Sequence, residues 1–478
     1  MILVTLSLLV PLLVGLAFIG MLSADKSRPR FPMSLHLTIA VGAGFGLLSV
    51  LFFLWLALTN TGTGFRAFAL LTLAVLVVAW VRRLKSAKSR EPFSTPAVHP
   101  PSKLRWVLIA VFLFVLCSSS WVFVSIASKK PHGEWDAWAS WNMKARFLFR
   151  GEEHWSSVFS NLLWYSGADY PLLLPASVAG CWTIAGNDTP AVPALIALSF
   201  TIATAGVLFA SVTALRGLIQ GSLAGLTILM TPSFVLHGTS QYADVPLSFF
   251  LVASIALLHI HESRPRMDRR LLLLSGVMGG LAAWTKNEGL LFVMALVVSR
   301  FVVDLPTLGL RESLNRIRDL AKCFVPSVLL ILLFKLVLVE ANPLLAWQGQ
   351  TTIDRLTDWS RYRVIFRAFT EQLVSFGGTV PSVWLILGIY LVLAGVWVRR
   401  EERSSVTASS LSLVLMLGGF FVVYLLTPFD LEWHLSTTLS RLLLQLWPSL
   451  IFLVFIVARP FGVYRMTPVI EGSVPGEG

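Results

Sequence analysis

Apolar runs long enough to cross a lipid bilayer recur along this sequence. Residues 2–21, 35–58 and 106–127 each reach the roughly 20 residues that span a hydrocarbon core as a helix. Lipid offers the backbone no hydrogen-bonding partner, so such runs must satisfy their own backbone groups by forming helices. With 56% hydrophobic and 13% charged residues, the chain lacks the polar surface that a soluble domain of 478 residues needs. The sequence predicts an all-α, polytopic transmembrane helix bundle.

The net charge of +13 does not indicate a nucleic-acid partner. The basic residues lie in short segments between apolar runs rather than along one soluble face, which is a pattern that reports membrane topology. Cys117, Cys181 and Cys323 are isolated from one another, without a C-x-x-C pair. The cysteines therefore favour neither a zinc site nor a disulfide scaffold.

Four basic segments set the expected orientation, because loops rich in Lys and Arg stay in the cytoplasm. These segments are 82–105, 264–270, 311–322 and 399–403. About 13 spans place all four inside, with the N-terminus outside and the C-terminus in the cytoplasm, provided that 171–186 adds no crossing. That segment has two prolines and only about 16 residues, so we predict a short re-entrant or interfacial helix there.

The expected location is the inner or plasma membrane, with the functional residues on the extracytoplasmic side. Three regions follow from the pattern of spans and loops: three N-terminal spans and a basic cytoplasmic linker at 1–104, a core at 105–303, and C-terminal spans at 304–478. The long outward loops are predicted at 128–189, 342–380 and 428–440. Four prolines make 92–102 a candidate flexible linker.

The first outward loop contains a candidate acid or base. Trp135, Trp138 and Ala145 recur at helical spacing and predict an amphipathic helix at the membrane surface. Interfacial tryptophans are common and need no function, but carboxylates at a lipid boundary are costly. We therefore interpret Asp136 as a catalytic carboxylate and Glu134 as the alternative candidate for the same role.

Asp244 is a second candidate catalytic carboxylate. It precedes Pro246 at the start of an apolar run, on the predicted outer side. A helix cap would explain the same position, because acidic residues and an early proline both favour a helix N-terminus. Both interpretations stay open at this point.

Lys286 and Glu288 lie at the predicted turn between two short apolar segments, 271–284 and 289–303. A lysine there could bind the phosphate of an anionic lipid, or it could extend to the interface without a ligand. The neighbouring Glu288 favours a binding role. The pair Asp169 and Tyr170, before the short segment at 171–186, belongs to the same predicted outer surface.

His434 and Arg441 are seven residues apart near the last apolar run, which places them on one helix face. An arginine on the outer side opposes the usual charge bias and implies an anionic partner. The guanidinium of Arg441 is therefore a candidate to bind phosphate oxygens, and His434 could add a hydrogen-bond donor or a proton. Arg355, Arg361 and Arg367 are also basic on that side, where an anionic ligand or lipid headgroups would explain them.

At these residues the chain resembles the C-type (GT-C) membrane glycosyltransferases, which include protein O-mannosyltransferases and lipid A aminoarabinose transferases. The resemblance rests on Glu134-Trp135-Asp136, on Asp169-Tyr170-Pro171-Leu172, on Asp244 at the start of a span and on Thr285-Lys286. It extends from about residue 106 to residue 303, with further support from His434 and Arg441.

The resemblance implies a GT-C-like bundle, with juxtamembrane helices in the first outward loop. It also implies a polyprenyl-phosphate sugar donor, Asp136 as the base and inversion at the anomeric carbon. The acceptor, whether a glycan, a lipid or a protein, and the sugar do not follow from it. No cofactor is assigned, and dependence on a divalent metal stays open, although the sequence contains no ligand motif for one. The alternative function is a multi-pass transporter or flippase, for which ionisable residues at mid-membrane and a repeat of broken helices would be expected.

Overall fold

The computed structural model describes residues 2–23, 32–85, 102–263, 269–340, 350–379 and 381–460. Over these residues the fold is helical, and the only β-type pairing found there is an isolated bridge between Val396 and Ala458. Nine of the described helices are long and apolar enough to cross a membrane, or ten if one bent pair counts as a span. The predicted all-α membrane helix bundle is confirmed. The candidate linker at 92–102, apart from its last residue, lies outside the described residues, as do 264–268 and 341–349.

Seventeen α-helices make up the described chain. The first nine are α1 (Ile2–Ser23), α2 (Met33–Thr59), α3 (Phe65–Lys85), α4 (Ser102–Lys129), α5 (Asn142–Arg150), α6 (Leu173–Ala185), α7 (Ala191–Arg216), α8 (Leu218–Leu229) and α9 (Pro232–Thr239). The others are α10 (Asp244–Glu262), α11 (Arg269–Thr285), α12 (Asn287–Val337), α13 (Gln350–Thr357), α14 (Trp359–Ser375), α15 (Val383–Ala394), α16 (Arg403–Leu426) and α17 (Leu431–Val457).

The helix α10 forms the centre of the bundle. Every residue from Asp244 to His261 is buried, and α10 packs against α7, α11 and α17. A helix that is apolar on all sides has no face suited to water, so it is stable only when other helices surround it. The polar residue at its first position, Asp244, is therefore held inside the protein.

Glycines allow α1 and α2 to approach each other closely. A Cβ atom on Gly15 would lie 1.9 Å from the carbonyl oxygen of Ala40, and one on Gly44 would lie 1.9 Å from that of Pro11. Small residues are common where membrane helices pack backbone to backbone, because van der Waals contact must replace the hydrophobic effect there.

The helix α12 is 51 residues long but is not one straight rod. At 1.5 Å per residue its length would be roughly 75 Å, more than twice the thickness of a hydrocarbon core. Gly309 interrupts it with φ 77° and ψ 169°, a conformation that glycine adopts readily. The predicted turn at Lys286 is confirmed, because Lys286 is extended between α11 and α12 and these two helices pack against each other as a hairpin.

The segment 171–186 contains α6, which has 13 residues and is buried along almost its whole length. A helix of that length reaches roughly 20 Å and cannot by itself cross a core of about 30 Å. It packs against α1, α2 and α5. The prediction of a short helix is therefore confirmed.

The predicted amphipathic helix after Gly133 is present but has a different register. It begins with a π-helical turn, Ala137–Trp141, and continues as α5. Trp135 and Trp138 are exposed, whereas Trp141 and Ala145 are buried. The expected single stripe through Trp135, Trp138 and Ala145 is wrong, because a π-turn holds more residues than an α-turn and rotates the side chains that follow it.

Candidate functional site

Asp244 is fully buried and lies at the centre of a group of polar contacts. One carboxylate oxygen is 3.0 Å from Nζ of Lys286 and accepts a hydrogen bond of 2.6 Å from Nε2 of Gln445. The other accepts hydrogen bonds of 3.2 and 3.0 Å from Nε and Nη2 of Arg441. A buried carboxylate is tolerated when its charge is paired and its oxygens are hydrogen-bonded, and both conditions hold for Asp244.

Helix capping does not account for Asp244. The N-cap position of α10 is Ala243, and no side chain makes a capping hydrogen bond there. Of the two interpretations that the sequence left open, the one that assigns Asp244 to a helix cap is wrong. The Asp244 carboxylate instead contacts two cations, Lys286 between α11 and α12 and Arg441 in α17.

Arg441 connects Asp244 to Asp136 in the loop after α4. Its Nη2 atom lies 2.7 Å from a carboxylate oxygen of Asp136 and 3.0 Å from one of Asp244. The guanidinium also stacks 4.3 Å from the ring centre of Tyr242, whose hydroxyl oxygen accepts a 3.4 Å hydrogen bond from the Asp136 amide. The Asp136 side chain is 34% exposed and that of Asp244 is 0% exposed. Of these two carboxylates, Asp136 is the one that solvent or a ligand can reach.

Glu288 completes the group through Lys286. Nζ of Lys286 lies 2.8 Å from Glu288 and 3.0 Å from Asp244. We refer to the five ionisable residues joined in this way as the Asp244 cluster: Asp136, Asp244, Lys286, Glu288 and Arg441. It contains one more carboxylate than it has cations.

Tyr170 lies beside the cluster, with its ring centre 5.6 Å from Nζ of Lys286. The negative charge of Glu288 and burial both raise the pKa of the Tyr170 hydroxyl. Its phenol is therefore protonated at neutral pH and can serve as a hydrogen-bond donor.

Asp169 belongs to a neighbouring polar group. Its carboxylate accepts a hydrogen bond of 2.6 Å from Asn287, and its carbonyl oxygen accepts one of 3.0 Å from Lys335. Lys335 also donates to the Asn287 side chain at 2.9 Å. These contacts fix the segment before α6 against the start of α12, next to Lys286.

Lys144 is a buried lysine beneath the same segment. Its Nζ atom donates to the carbonyl oxygen of Gly167 and lies 5.5 Å and 5.8 Å from the ring centres of Trp141 and Tyr170. Burial lowers the pKa of Lys144 to about 7, although the charge of Asp169 opposes this effect. Close to neutral pH the side chain therefore changes between its charged and neutral forms.

The structure brings Asp136, Asp244, Lys286, Glu288 and Arg441 together, with Asp169 and Tyr170 alongside. These residues come from several distant parts of the chain. Asp136 and Asp244 thus lie close together on either side of Arg441, and Lys286 contacts Asp244 at the same location.

Two predicted site residues make their contacts elsewhere. Glu134 pairs with Lys130 at 2.5 Å, and its side chain is 45% exposed. His434 hydrogen-bonds Thr427 at 2.9 Å and packs against the rings of Tyr424 and Phe429. His434 shares α17 with Arg441, but a separation of seven positions corresponds to roughly 10 Å along the helix.

The basic loop before α15 has a role that the sequence did not suggest. Arg361 donates hydrogen bonds of 3.2, 3.1 and 3.4 Å to the carbonyl oxygens of Leu425, Tyr424 and Thr427, at the end of α16. Arg367 pairs with Glu371 at 2.7 Å. Arg361 therefore satisfies the free carbonyl groups of a helix C-terminus, where a cation is favourable.

The sequence interpretation missed Gln445, Lys144 and the role of Tyr242. Gln445 interrupts the apolar run of α17, and a polar side chain inside a membrane span is a signal of function. Lys144 looked like one of several basic residues in a loop. Nothing in its neighbourhood in the sequence distinguishes it from the exposed Arg150.

Among the described residues, no group of three or more His, Cys, Asp or Glu side chains could hold a metal ion. The chemistry available in the Asp244 cluster is proton transfer at Asp136 and stabilisation of negative charge at Arg441 and Lys286. Comparison with known proteins found no matching family model, no matching curated protein and no matching solved structure.

Proposed function

We propose that this chain is a membrane glycosyltransferase that transfers a sugar from a polyprenyl-phosphate donor to an acceptor at the extracytoplasmic face. The supporting observation is the position of Arg441 between the partly exposed Asp136 and the buried Asp244. This ion pair thus joins a carboxylate that can accept a proton to a guanidinium that can bind phosphate oxygens. Transfer of a sugar from a phosphate carrier needs both groups close together.

In the proposed reaction, Asp136 accepts the proton of an acceptor hydroxyl as its oxygen bonds to the anomeric carbon. The bond between that carbon and the carrier phosphate breaks at the same time, so the configuration inverts. The electron pair of the broken bond remains on the phosphate, where Arg441 and Lys286 stabilise the negative charge. Asp244, which pairs with both Lys286 and Arg441, holds these two cations in position for this step.

The proposed membrane arrangement has about 13 spans in a GT-C-like bundle, with the Asp244 cluster at the outer face. It treats α12 as two spans separated at Gly309 and excludes the short α6. The basic segments at 82–105, 264–270, 311–322 and 399–403 then all lie in the cytoplasm. The first residue of α10 would lie at the outer boundary, where the phosphate of a lipid carrier resides.

Replacement of Asp136 by Asn tests the base. The substitution keeps the shape of the side chain but removes the proton acceptor, so turnover should fall about 100- to 10,000-fold. Donor binding should change much less. The assay is transfer from radiolabelled polyprenyl-phosphate sugars to extracted membrane acceptors, with donor binding measured separately on purified protein. The matched control is Glu153→Gln, which neutralises an exposed carboxylate in the same loop. Parental turnover in Asp136→Asn would exclude Asp136 as the base.

Replacement of Arg441 by Ala should weaken donor binding and lower turnover. The phosphate loses the guanidinium that binds its oxygens, both in the bound donor and in the leaving group. The change also leaves Asp136 and Asp244 with one cation fewer. Arg441→Lys is therefore measured as a second variant, because a lysine keeps the positive charge and lacks only the planar guanidinium. Unchanged donor affinity in both variants would contradict the phosphate role.

A transporter or flippase is the second candidate function, and one observation favours it. The buried α10 joins two groups of ion pairs, with Asp244 at its first residue and Glu262, paired with Arg300, at its last. Paired charges at both ends of a central helix could act as gates. Purified protein in vesicles would distinguish the functions: a transporter moves the labelled lipid across the bilayer without forming a new glycosidic bond.

A further inference from the structure

Two buried oxygen atoms in and beside the Asp244 cluster accept no hydrogen bond from the described residues: Oε1 of Gln445 and Oε2 of Glu288. The orientation of the Gln445 amide follows from its neighbours. Its nitrogen lies 2.6 Å from Asp244 and 3.5 Å from the other oxygen of Glu288, and only a donor can face two carboxylates. The amide oxygen must therefore point away from them, and no described donor meets it.

A buried acceptor without a donor is unfavourable, and native proteins contain few. The cations of the cluster already have partners. Lys286 contacts Asp244 and Glu288, and Arg441 contacts Asp136 and Asp244. Donors for the two oxygens would therefore come from a molecule that binds at this place.

The charge of the cluster indicates the chemistry of that molecule. Because carboxylates outnumber cations, a phosphate has no advantage next to Glu288, whereas a hydroxyl group can donate to a carboxylate and to an amide oxygen alike. Gln445 lies four residues after Arg441, one turn further along the same face of α17. A group bound there would lie next to a phosphate held by Arg441.

We propose that Glu288 and Gln445 form a hydroxyl-binding pair that recognises the sugar of the donor, with one sugar hydroxyl donating to each oxygen. This inference rests on the proposed function and assigns separate binding roles to the residues of the site. Arg441 binds the carrier phosphate, and Glu288 and Gln445 select the sugar. The side chain of Glu288 is 15% exposed, so this member of the pair meets an incoming ligand first.

The test measures ligand binding rather than transfer. Fluorescence titrations of the purified full chain in detergent would use bare polyprenyl phosphate and the same lipid carrying a hexose or a pentose. The variants are Glu288→Gln, which can keep an oxygen towards Lys286 and present an NH2 group in place of the free oxygen, and Gln445→Met, which removes the amide. Glu432→Gln is the matched control, because it makes the same change at an exposed residue of α17.

The parent should bind at least one glycosylated carrier more tightly than the bare carrier. Both variants should lose that preference, with Kd for the glycosylated lipid rising roughly 10- to 100-fold, as expected for a lost hydrogen bond to a charged group or a buried acceptor. Both should bind the bare carrier at least as well as the parent does, because neither change removes a cation. That binding also shows that the variants are folded.

Two results would overturn the inference while leaving the phosphate site intact, and a third would overturn it through the phosphate site. The parent could bind bare and glycosylated carriers equally, which would assign water to the two oxygens. Both variants could keep the parental preference for the sugar. Both folded variants could also lose binding of the bare carrier, which would contradict the separate roles of Arg441 and of the Glu288–Gln445 pair. A parent that binds neither lipid would instead overturn the proposed function itself.

Discussion

The guanidinium of Arg441 contacts carboxylates from two separate parts of the chain. A planar group with five N–H donors can meet two carboxylates and stack on a tyrosine ring at once, which a lysine ammonium cannot do. Arg441 does all three, with Asp136, Asp244 and Tyr242. In the proposed topology, these contacts account for an arginine on the outer side, where few basic residues are expected.

Lys144 provides a prediction about pH. Its folded-state pKa of about 7 lies below the 10.5 of an unperturbed lysine, because burial disfavours the charged form. Between these values the unfolded chain binds more protons than the folded chain, so this residue makes the protein more stable as pH rises. The destabilising effect is complete below about pH 7 and is relieved towards pH 10.

Replacement of Lys144 by Met should remove this dependence. The Tm of the variant minus that of the parent should be most positive near pH 6 and should decrease as pH rises to about 10. Thermal unfolding of both proteins in detergent over that range measures the difference, in which the contributions of the other groups cancel. Lys130→Met is the control, because Lys130 is exposed. A difference that does not vary with pH would contradict the lowered pKa.

Arg216 and Glu402 connect the end of α7 to the start of α16. Two hydrogen bonds of 2.8 and 2.6 Å join the guanidinium to the carboxylate, and both side chains are buried. Arg216 also donates to the carbonyl oxygen of Ile456 in α17 at 2.8 Å. One arginine thus holds the ends of three helices together.

Replacement of Glu402 by Ala should destabilise the protein by about 3–5 kcal/mol, because it leaves the Arg216 charge buried without its carboxylate. A lowered Tm in detergent measures the effect. The neighbouring Glu401 is exposed, so Glu401→Ala should change the Tm little. The double variant Arg216→Met with Glu402→Leu should be more stable than Glu402→Ala. A single variant as stable as the parent would show that the pair does not hold these helices.

On the scale of the whole molecule, the central helix α10 has ion-paired residues at both of its ends. Asp244 and its partners surround the first residue, and Glu262 with Arg300 lies at the last. A helix of 19 residues separates them by roughly 28 Å, close to the thickness of a hydrocarbon core. The separation fits a bundle in which the two groups face opposite sides of the membrane.

Cysteine labelling tests the orientation of the molecule. Single cysteines at Ser157 and Ser436, introduced after the native cysteines are replaced, should react with an impermeant reagent in intact cells. A cysteine at Arg318, an exposed position in the basic 311–322 segment, should react only after the membrane is permeabilised. Labelling of Arg318→Cys alone in intact cells would reverse the topology and the side of the proposed reaction.

Apolar periodicity and charge were sufficient to predict the helix bundle, the short α6 and the hairpin at Lys286. These features depend on local properties: the length of an apolar run, a proline or a polar turn decides them without distant contacts. The candidate residues Asp136, Asp244, Lys286 and Arg441 were found for the same reason, because a charge next to a membrane span is conspicuous in the sequence.

Only the tertiary structure decided which of these charges meet. Glu134 and Asp136 are two residues apart, yet Glu134 pairs with Lys130 and Asp136 pairs with Arg441, because a turn of helix directs them differently. Gln445 and Lys144 acquire their roles from neighbours that are distant in sequence. The strength of a charge interaction depends on distance and burial, and both are set by helix packing rather than by sequence order.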